Sequence, residues 1–314
     1  MRIALVDQSR TILRIVTDLI RADGYEVLGF TDARSALSAV GADSGIRALV
    51  TSVQLESLSG IELCAAARRL VGTRRPLYII LMSSSDDKEI AVRALDCGAD
   101  DFMRKPPDKD ELRARLRLAD RATSMQAELI RYGTTDSLSG LLNRREFFRC
   151  ARDAARQAAN GQPLSAILLD LDEFKLVNDQ HGHFAGDRAI ATVAAQLKRF
   201  PGIIGRLGGE EFCVLAQGDL AQACDLAEQV RGALAETPFA VGGNEINLTA
   251  SFGVAEWHEG DSIDGLLRRA DRSLYRAKNR GRNCVVAAAE ETDAEPAATW
   301  RSTVRTQVRA SHPA

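Results

Sequence analysis

Apolar positions recur along this chain in two rhythms that alternate for the first hundred or so residues and then change order. Short apolar runs at "RIALVD", "YEVLGF", "RALVTS", "PLYIILMS" and "DDFMRK" have the length and composition of buried strands. Between them apolar residues step by three and four, as at Ile12, Ile15, Val16, Leu19 and Ile20. "ARSALSAV", "GIELCAAARRL" and "DKEIAVRALDCG" read as further helices. Five strands alternating with five helices predict an α/β domain over 1–120, doubly wound around a parallel sheet, with its ligand site at the carboxyl ends of the strands.

The fifth helix outruns that domain. From Lys109 to Tyr132 it contains no Pro or Gly, and Leu118, Ala122, Met125, Leu129 and Tyr132 step by four and three, the spacing of a short coiled-coil seam. Leu112, Leu116 and Ala119 form an earlier stripe, offset from the later one by a three-residue step. Residues 109–133 thus predict an extended linker helix. Its later stripe either packs on its own domain or meets a second chain.

After "GTT" the order changes. "SAILLDLDEF" predicts a strand ending in acids, "GDRAIATVAAQLKRF" a helix and "IIGRLGGEEFCVLA" a β-hairpin. A helix from Asp219 to Ala235 follows, then "INLTASFGVAEW" as one half-buried strand, a helix closed by Gly281, and a last strand at "NCVVAA". This βαββαβ order predicts an α+β domain over 134–288, with an antiparallel sheet and helices on one face. Residues 289–314, rich in Ala, Thr, Ser, Pro and charge, predict a disordered tail.

Composition narrows the function classes. A length of 314 residues suits two domains, and 45% hydrophobic with 27% charged residues is ordinary globular material. A formal charge of -2 gives no global basic surface, and no DNA-reading helix is recognisable, so nucleic-acid binding is not expected. No apolar run approaches the roughly 20 residues that span a bilayer. The six cysteines are scattered without a CxxC pair, which favours small buried thiols over disulfides or zinc ligands and a soluble cytoplasmic setting.

The chemistry concentrates at strand ends. On a strand, Asp170 and Asp172 point to the same face, and pairing with the hairpin brings Asp170 near Glu210 and Glu211. Carboxylates that converge repel one another unless a cation lies between them, and hard oxygen donors suit Mg²⁺, with Mn²⁺ as the alternative. Gly208 and Gly209 permit a tight turn there. Taken alone, "GGEE" reads more readily as an exposed turn than as a site.

Four motifs in order remove that ambiguity: "DSLSGLLNRREF" from Asp136, "DLDEFKLVNDQHGHFAGD" from Asp170, "GRLGGEEF" from Gly205 and "ADRSLYRAKNRGRN" from Ala270. Together they resemble the diguanylate cyclase catalytic domain of the GGDEF type, here GGEEF. The resemblance implies condensation of two GTP into cyclic di-GMP and pyrophosphate at the interface of a homodimer. It implies that Asp170, the Leu171 carbonyl and Glu210 hold the metal, that Glu210 is the base with Glu211 assisting, and that Lys175 stabilises the transferring phosphoryl. Asn178, His183 and Asp187 match positions that hold the guanine nucleotide. Lys278 and Arg282, read as four apart on one helix face, match phosphate contacts. The product-binding Arg-x-x-Asp of the family is incomplete: Arg199 is present, but Gly202 stands where the Asp belongs, so weak or no feedback inhibition is expected.

The first domain resembles a two-component receiver on "ALVDQS", "LMSS" and "GADDFMRKP". Asp7, Ser83 and Lys105 match the first acid, the switch hydroxyl and the lysine. Gln8 replaces the second acid and Ser52 stands at the phosphoacceptor position. A serine hydroxyl, unlike a carboxylate, is not ionised at neutral pH. The domain therefore reads as a degenerate receiver kept for dimerisation or for a regulatory protein partner. The competing reading is a non-catalytic regulator that binds GTP or cyclic di-GMP and acts through protein contacts. That reading predicts loss of the acids, and all of them are present.

Overall fold

The computed structural model describes residues 1–85, 88–241 and 244–289, so the expected tail, from 290 onward, lies outside the described residues. The chain divides into two compact units, Met1–Arg131 and Tyr132–Ala314.

In the first unit β1 (Arg2–Val6), β2 (Glu26–Phe30), β3 (Ile46–Ser52), β4 (Tyr78–Ser83) and β5 (Asp101–Arg104) form a parallel sheet in the order β2-β1-β3-β4-β5. Helices α1 (Arg10–Ala22) and α5 (Lys109–Thr134) bury Val16, Ile20, Leu112, Leu116 and Ala119 on one face. Helices α2 (Ala33–Ala42), α3 (Gly60–Val71) and α4 (Lys88–Asp96) cover the other. Starts of helices follow their caps: Ser9, Asp32 and Ser59 each accept a backbone N–H of the first turn. A Cβ at Gly60 would lie 2.0 Å from the Ser52 carbonyl oxygen. Only glycine lets α3 begin so close to the end of β3, which fixes Ser52 as the strand-end residue.

Helix α5 is continuous through the end of that unit. Its early stripe and Thr123 are buried, whereas Leu118, Met125, Leu129 and Tyr132 are exposed.

The second unit contains α6 (Arg144–Ala158), β6 (Leu164–Leu171), α7 (Phe174–His181), α8 (His183–Leu197), β7 (Ile203–Gly208), β8 (Glu211–Gln217), α9 (Leu220–Ala235), β9 (Phe239–Val241), β10 (Asn244–Ile246), β11 (Ala250–Glu256), α10 (Ile263–Asn279) and β12 (Val285–Ala287). Its main sheet has the order β12-β11-β6-β8-β7. Three expectations change here. The sheet is mixed, because β12 pairs parallel to β11. Helices cover both faces: α8 and α9 pack on one, α6 and α10 on the other. "INLTASFGVAEW" is two strands, since β10 pairs with β9 in a separate hairpin.

The reasons lie in side-chain size. β11 sits inside the sheet and is buried on both faces, its small Ser251, Gly253 and Ala255 lying under α10 rather than in water. A Cβ at Gly253 would come within 2.1 Å of the Ala270 carbonyl, so small residues that read as the wet side of a strand instead admit a helix. Helix α6 hid its apolar face among six Arg and acidic residues in its first ten positions, yet Phe147 and Ala151 are fully buried. The cysteines are all free, but only Cys64 and Cys213 are buried, and Cys97 is exposed. Among the described residues no helix is long and apolar enough to cross a membrane.

Candidate active site

Strands β6 and β8 run antiparallel with Asp170 opposite Glu211, and the Leu171 N–H donates to the Glu210 carbonyl at 3.4 Å. The connection from β7 passes through Gly208 (φ 151) and Gly209 (φ 52), conformations that favour glycine. Arg206 braces this turn. Its Nε and Nη2 donate to the Gly209 carbonyl at 2.9 and 2.7 Å, and its Nη1 donates to Asp136 Oδ1 at 3.0 Å. Sequence reasoning gave Arg206 and Asp136 no role, although both lie inside quoted motifs.

Asp170 is 6% exposed. Burial pushes its carboxyl up to about 6, against the pull of Lys278, whose Nζ lies 2.8 Å from Oδ1; the charges of Glu210 and Asp172 push further upward. Burial, then the charge of Asp170, likewise raises Glu211 to about 6. Asp170 and Glu211 thus share the influence of one ammonium, with Glu210 adding its charge to both. This surplus of hard, negatively charged oxygen fits a divalent cation such as Mg²⁺. Among the described residues no three His, Cys, Asp or Glu side chains form a closed metal cage. Two acids and a backbone oxygen would leave positions open for a ligand's phosphates.

Asp172 does not join Asp170. β6 ends at Leu171, and the strand alternation ends with it. Asp172 is buried; its Oδ1 accepts the Ser251 hydroxyl at 2.6 Å, and its Oδ2 accepts the Thr249 hydroxyl at 2.8 Å and the Asn283 N–H at 3.0 Å.

Lys175 and Asn178 lie on α7, while His183 opens α8 and Asp187 lies in its second turn. Lys175, His183 and Asp187 are exposed. A Cβ at Gly186 would lie 2.1 Å from Asn178 Oδ1, so the absence of a side chain there seats the Asn178 amide against α8, next to Asp187 in the chain. Arg282 departs from expectation: α10 ends at Asn279, and Arg282 (φ 65) and Asn283 (φ 44) follow in left-handed conformation. Lys278 and Arg282 therefore do not share a helix face.

Arg199 donates to Gln196 Oε1 at 3.0 Å. Gly202 has φ 129, and a Cβ there would lie 2.7 Å from the Leu215 carbonyl oxygen. An aspartate at 202 would be strained and obstructed. Both residues border a cavity of about 790 Å³ that also touches Leu164 and Gln217. Those two residues begin β6 and end β8, at the opposite ends of these strands from Asp170 and Glu211.

In the first unit, Lys105 Nζ donates to Ser52 Oγ at 2.6 Å and pairs with Asp7 Oδ2 at 2.5 Å. Ser52 Oγ also donates to the Gln54 carbonyl at 2.8 Å. Ser83 ends β4, buried, and accepts the Ser85 N–H. Gln8 and Glu56 are exposed and line a separate cavity of about 370 Å³. Among the described residues the predicted receiver site contains one carboxylate, Asp7.

Residues 133–284 match the family "Diguanylate cyclase, GGDEF domain" and residues 3–117 the "Response regulator receiver domain". The chain is 33% identical over 301 residues to Response regulator PleD of Caulobacter vibrioides, covering 91% of this chain and 65% of that protein. A diguanylate cyclase of Vibrio cholerae is 42% identical over 168 residues, 51% of each chain. The chain thus spans between about half and two thirds of these relatives. The solved coiled coil and GGDEF domain of DgcB from Caulobacter crescentus, in complex with c-di-GMP, matches with TM-score 0.52 and 29% identity, covering 57% of this chain and 98% of that one.

Proposed function

The chain belongs to the response regulators that join a receiver to a GGDEF domain, and from that premise we propose that it condenses two GTP into cyclic di-GMP and pyrophosphate. The observation that carries this reading is the register of Asp170 against Glu211, with Glu210 at the adjoining turn: a negative site at the strand ends where the Asp170 and Glu211 carboxyls are pushed up to about 6.

In this reading Asp170, the Leu171 carbonyl and Glu210 hold Mg²⁺ or Mn²⁺. When bound, the cation neutralises phosphate charge and lowers the pKa of the attacking ribose hydroxyl. Asn178 and Asp187 read the guanine edge, with His183 beside them at the start of α8. Lys175 stabilises the transferring phosphoryl, Glu210 accepts the 3′-hydroxyl proton with Glu211 assisting, and Lys278 and Arg282 bind the β and γ phosphates. Lys278 therefore exchanges its Asp170 partner for phosphate when metal and nucleotide arrive together.

Each chain supplies half of the reacting pair, so two chains must meet. The exposed stripe Leu118, Met125 and Leu129 offers a seam for that encounter. The receiver regulates through dimerisation or a partner protein rather than through phosphate, because Ser52 is held by Lys105 and Gln8 supplies no second acid. Product feedback is weak, because Gly202 has no room for the missing carboxylate.

The test is to incubate purified protein with GTP and Mg²⁺ over a range of protein concentrations, without phosphodonor, and follow cyclic di-GMP by chromatography. The specific rate is expected to rise with protein concentration. Leu129→Glu, at a position 69% exposed, is expected to lower it about tenfold at the dilute end. A specific rate independent of concentration, or no product, would contradict the proposal.

A further inference from the structure

Arg282 is assigned to the triphosphate in the reading above, yet helix geometry does not place it. It lies three residues past the end of α10, in a turn whose residues Gly281, Arg282 and Asn283 all have positive φ. For Arg282 and Asn283 this is a strained choice that the surroundings must enforce. Two backbone bonds enforce it: the Arg282 N–H donates to the Ala277 carbonyl at 3.2 Å, and the Asn283 N–H donates to Asp172 Oδ2 at 3.0 Å.

Asp172 is well suited to be the fixed end of that second bond. It immediately follows β6, whose last residues include Asp170, and it is only 7% exposed. Its other acceptor positions are taken by Ser251 and Thr249, at and just before the start of β11. A carboxylate held by three donors, two around the start of β11 and one in the turn, has little freedom to move. The Asn283 side chain is held from the other side, accepting from Arg231 Nη1 of α9 at 2.9 Å.

We propose that Asp172 is a positioning residue for the reaction: it ties the left-handed turn after α10 to the end of β6, and so sets Arg282 at the phosphate side of the nucleotide site. This rests on the cyclase reading and on the role given there to Arg282. Asp172 itself touches neither nucleotide nor metal. Without its carboxylate the turn loses the bond that offsets its strain, and Arg282 spends less time where phosphate would meet it.

The experiment is a mutant cycle on the full chain, with GTP kinetics for Asp172→Ala, Arg282→Ala and the double variant. Asp172→Ala is expected to raise KM about tenfold, or about 1.4 kcal/mol of binding, while kcat per folded chain stays within about twofold. The double variant is expected to be no worse than Arg282→Ala alone. Asp172→Asn should restore KM to within about threefold of the parent, because its amide oxygen can accept the Asn283 N–H while its NH2 donates to Ser251. If the alanine variant does not fold, Asp172→Ser carries the same expectation, its hydroxyl being too short to reach Asn283. A purely structural role would lower the active fraction and leave KM unmoved, and that result overturns the proposal. So does a double variant in which the two effects multiply, which leaves the triphosphate role of Arg282 intact. If Arg282→Ala alone leaves KM unchanged, that role fails and the positioning claim fails with it.

Discussion

In the N-terminal unit Lys105 meets one buried carboxylate and one hydroxyl, Asp7 and Ser52. In the C-terminal unit Lys278 meets Asp170 within a cluster that also holds Glu210 and Glu211. Both arrangements place a lysine against acids at the ends of strands, but the charge left over differs. The first is balanced within itself: one ammonium, one carboxylate, and neutral Ser52 and Gln8 where further acids would stand. The second keeps a surplus of negative charge in a partly desolvated site, seen in the raised pKa of Asp170 and Glu211. A balanced site is closed to a divalent cation; an unbalanced one invites it. The first unit thus sets one carboxylate beside its lysine, and the second sets a cluster of acids beside its own.

The comparison can be broken most sharply by neutralising the surplus. Asp170→Asn or Glu210→Gln is expected to lower cyclic di-GMP formation at least a hundredfold, while the melting temperature of the Asp170 variant stays level or rises, because a desolvated charge has been removed. Loss of both activity and stability would make the acids structural. The opposite sign is expected in the first unit. Asp7→Asn leaves the Lys105 ammonium, with its side chain only 13% exposed, without its carboxylate. Urea unfolding of that unit should show a loss of about 3 kcal/mol.

A smaller effect follows from pH. Asp170 and Glu211 have folded pKa values of about 6, above the ordinary carboxylate values of 3.8 and 4.5. The folded chain therefore binds more protons than the unfolded chain between those limits. The stabilisation from these two groups is complete below the ordinary values and is lost as pH rises through about 6. Above that, the exposed cost of the charged acids is what a divalent cation offsets. The rise in melting temperature caused by Mg²⁺ with a non-hydrolysable GTP analogue should be larger at about pH 7.5 than at about pH 5.5, by about 2–4 °C. A shift equal at the two values would separate the raised pKa from cation binding.

Much of this was legible in the sequence where one residue type had one physical use. Short apolar runs gave the five parallel strands, and the spacing from Gly60 back to Ser52 located the end of β3 because only glycine fits against the strand end there. The pairing of Asp170 with the hairpin followed from strand order. What stayed hidden depended on tertiary neighbours. Ser251 and Gly253 read as a solvent face because nothing in a single strand announces a helix lying 2.1 Å from a missing Cβ. Asp172 read as sharing a face with Asp170 because alternation cannot show that the strand stops one residue earlier. Arg282 read as helical because the turn that displaces it is secured by Asp172, more than a hundred residues away in the chain.

The central claim is that Asp170 and Glu210 supply the unbalanced charge that binds a divalent ion together with nucleotide. Mn²⁺ titrated into the chain with a non-hydrolysable GTP analogue, with free ion counted by electron paramagnetic resonance, tests it directly. The parent should bind close to a single ion per chain, and the Asp170→Asn, Glu210→Gln double variant should bind none in the same range. Equal uptake by the two would contradict the account.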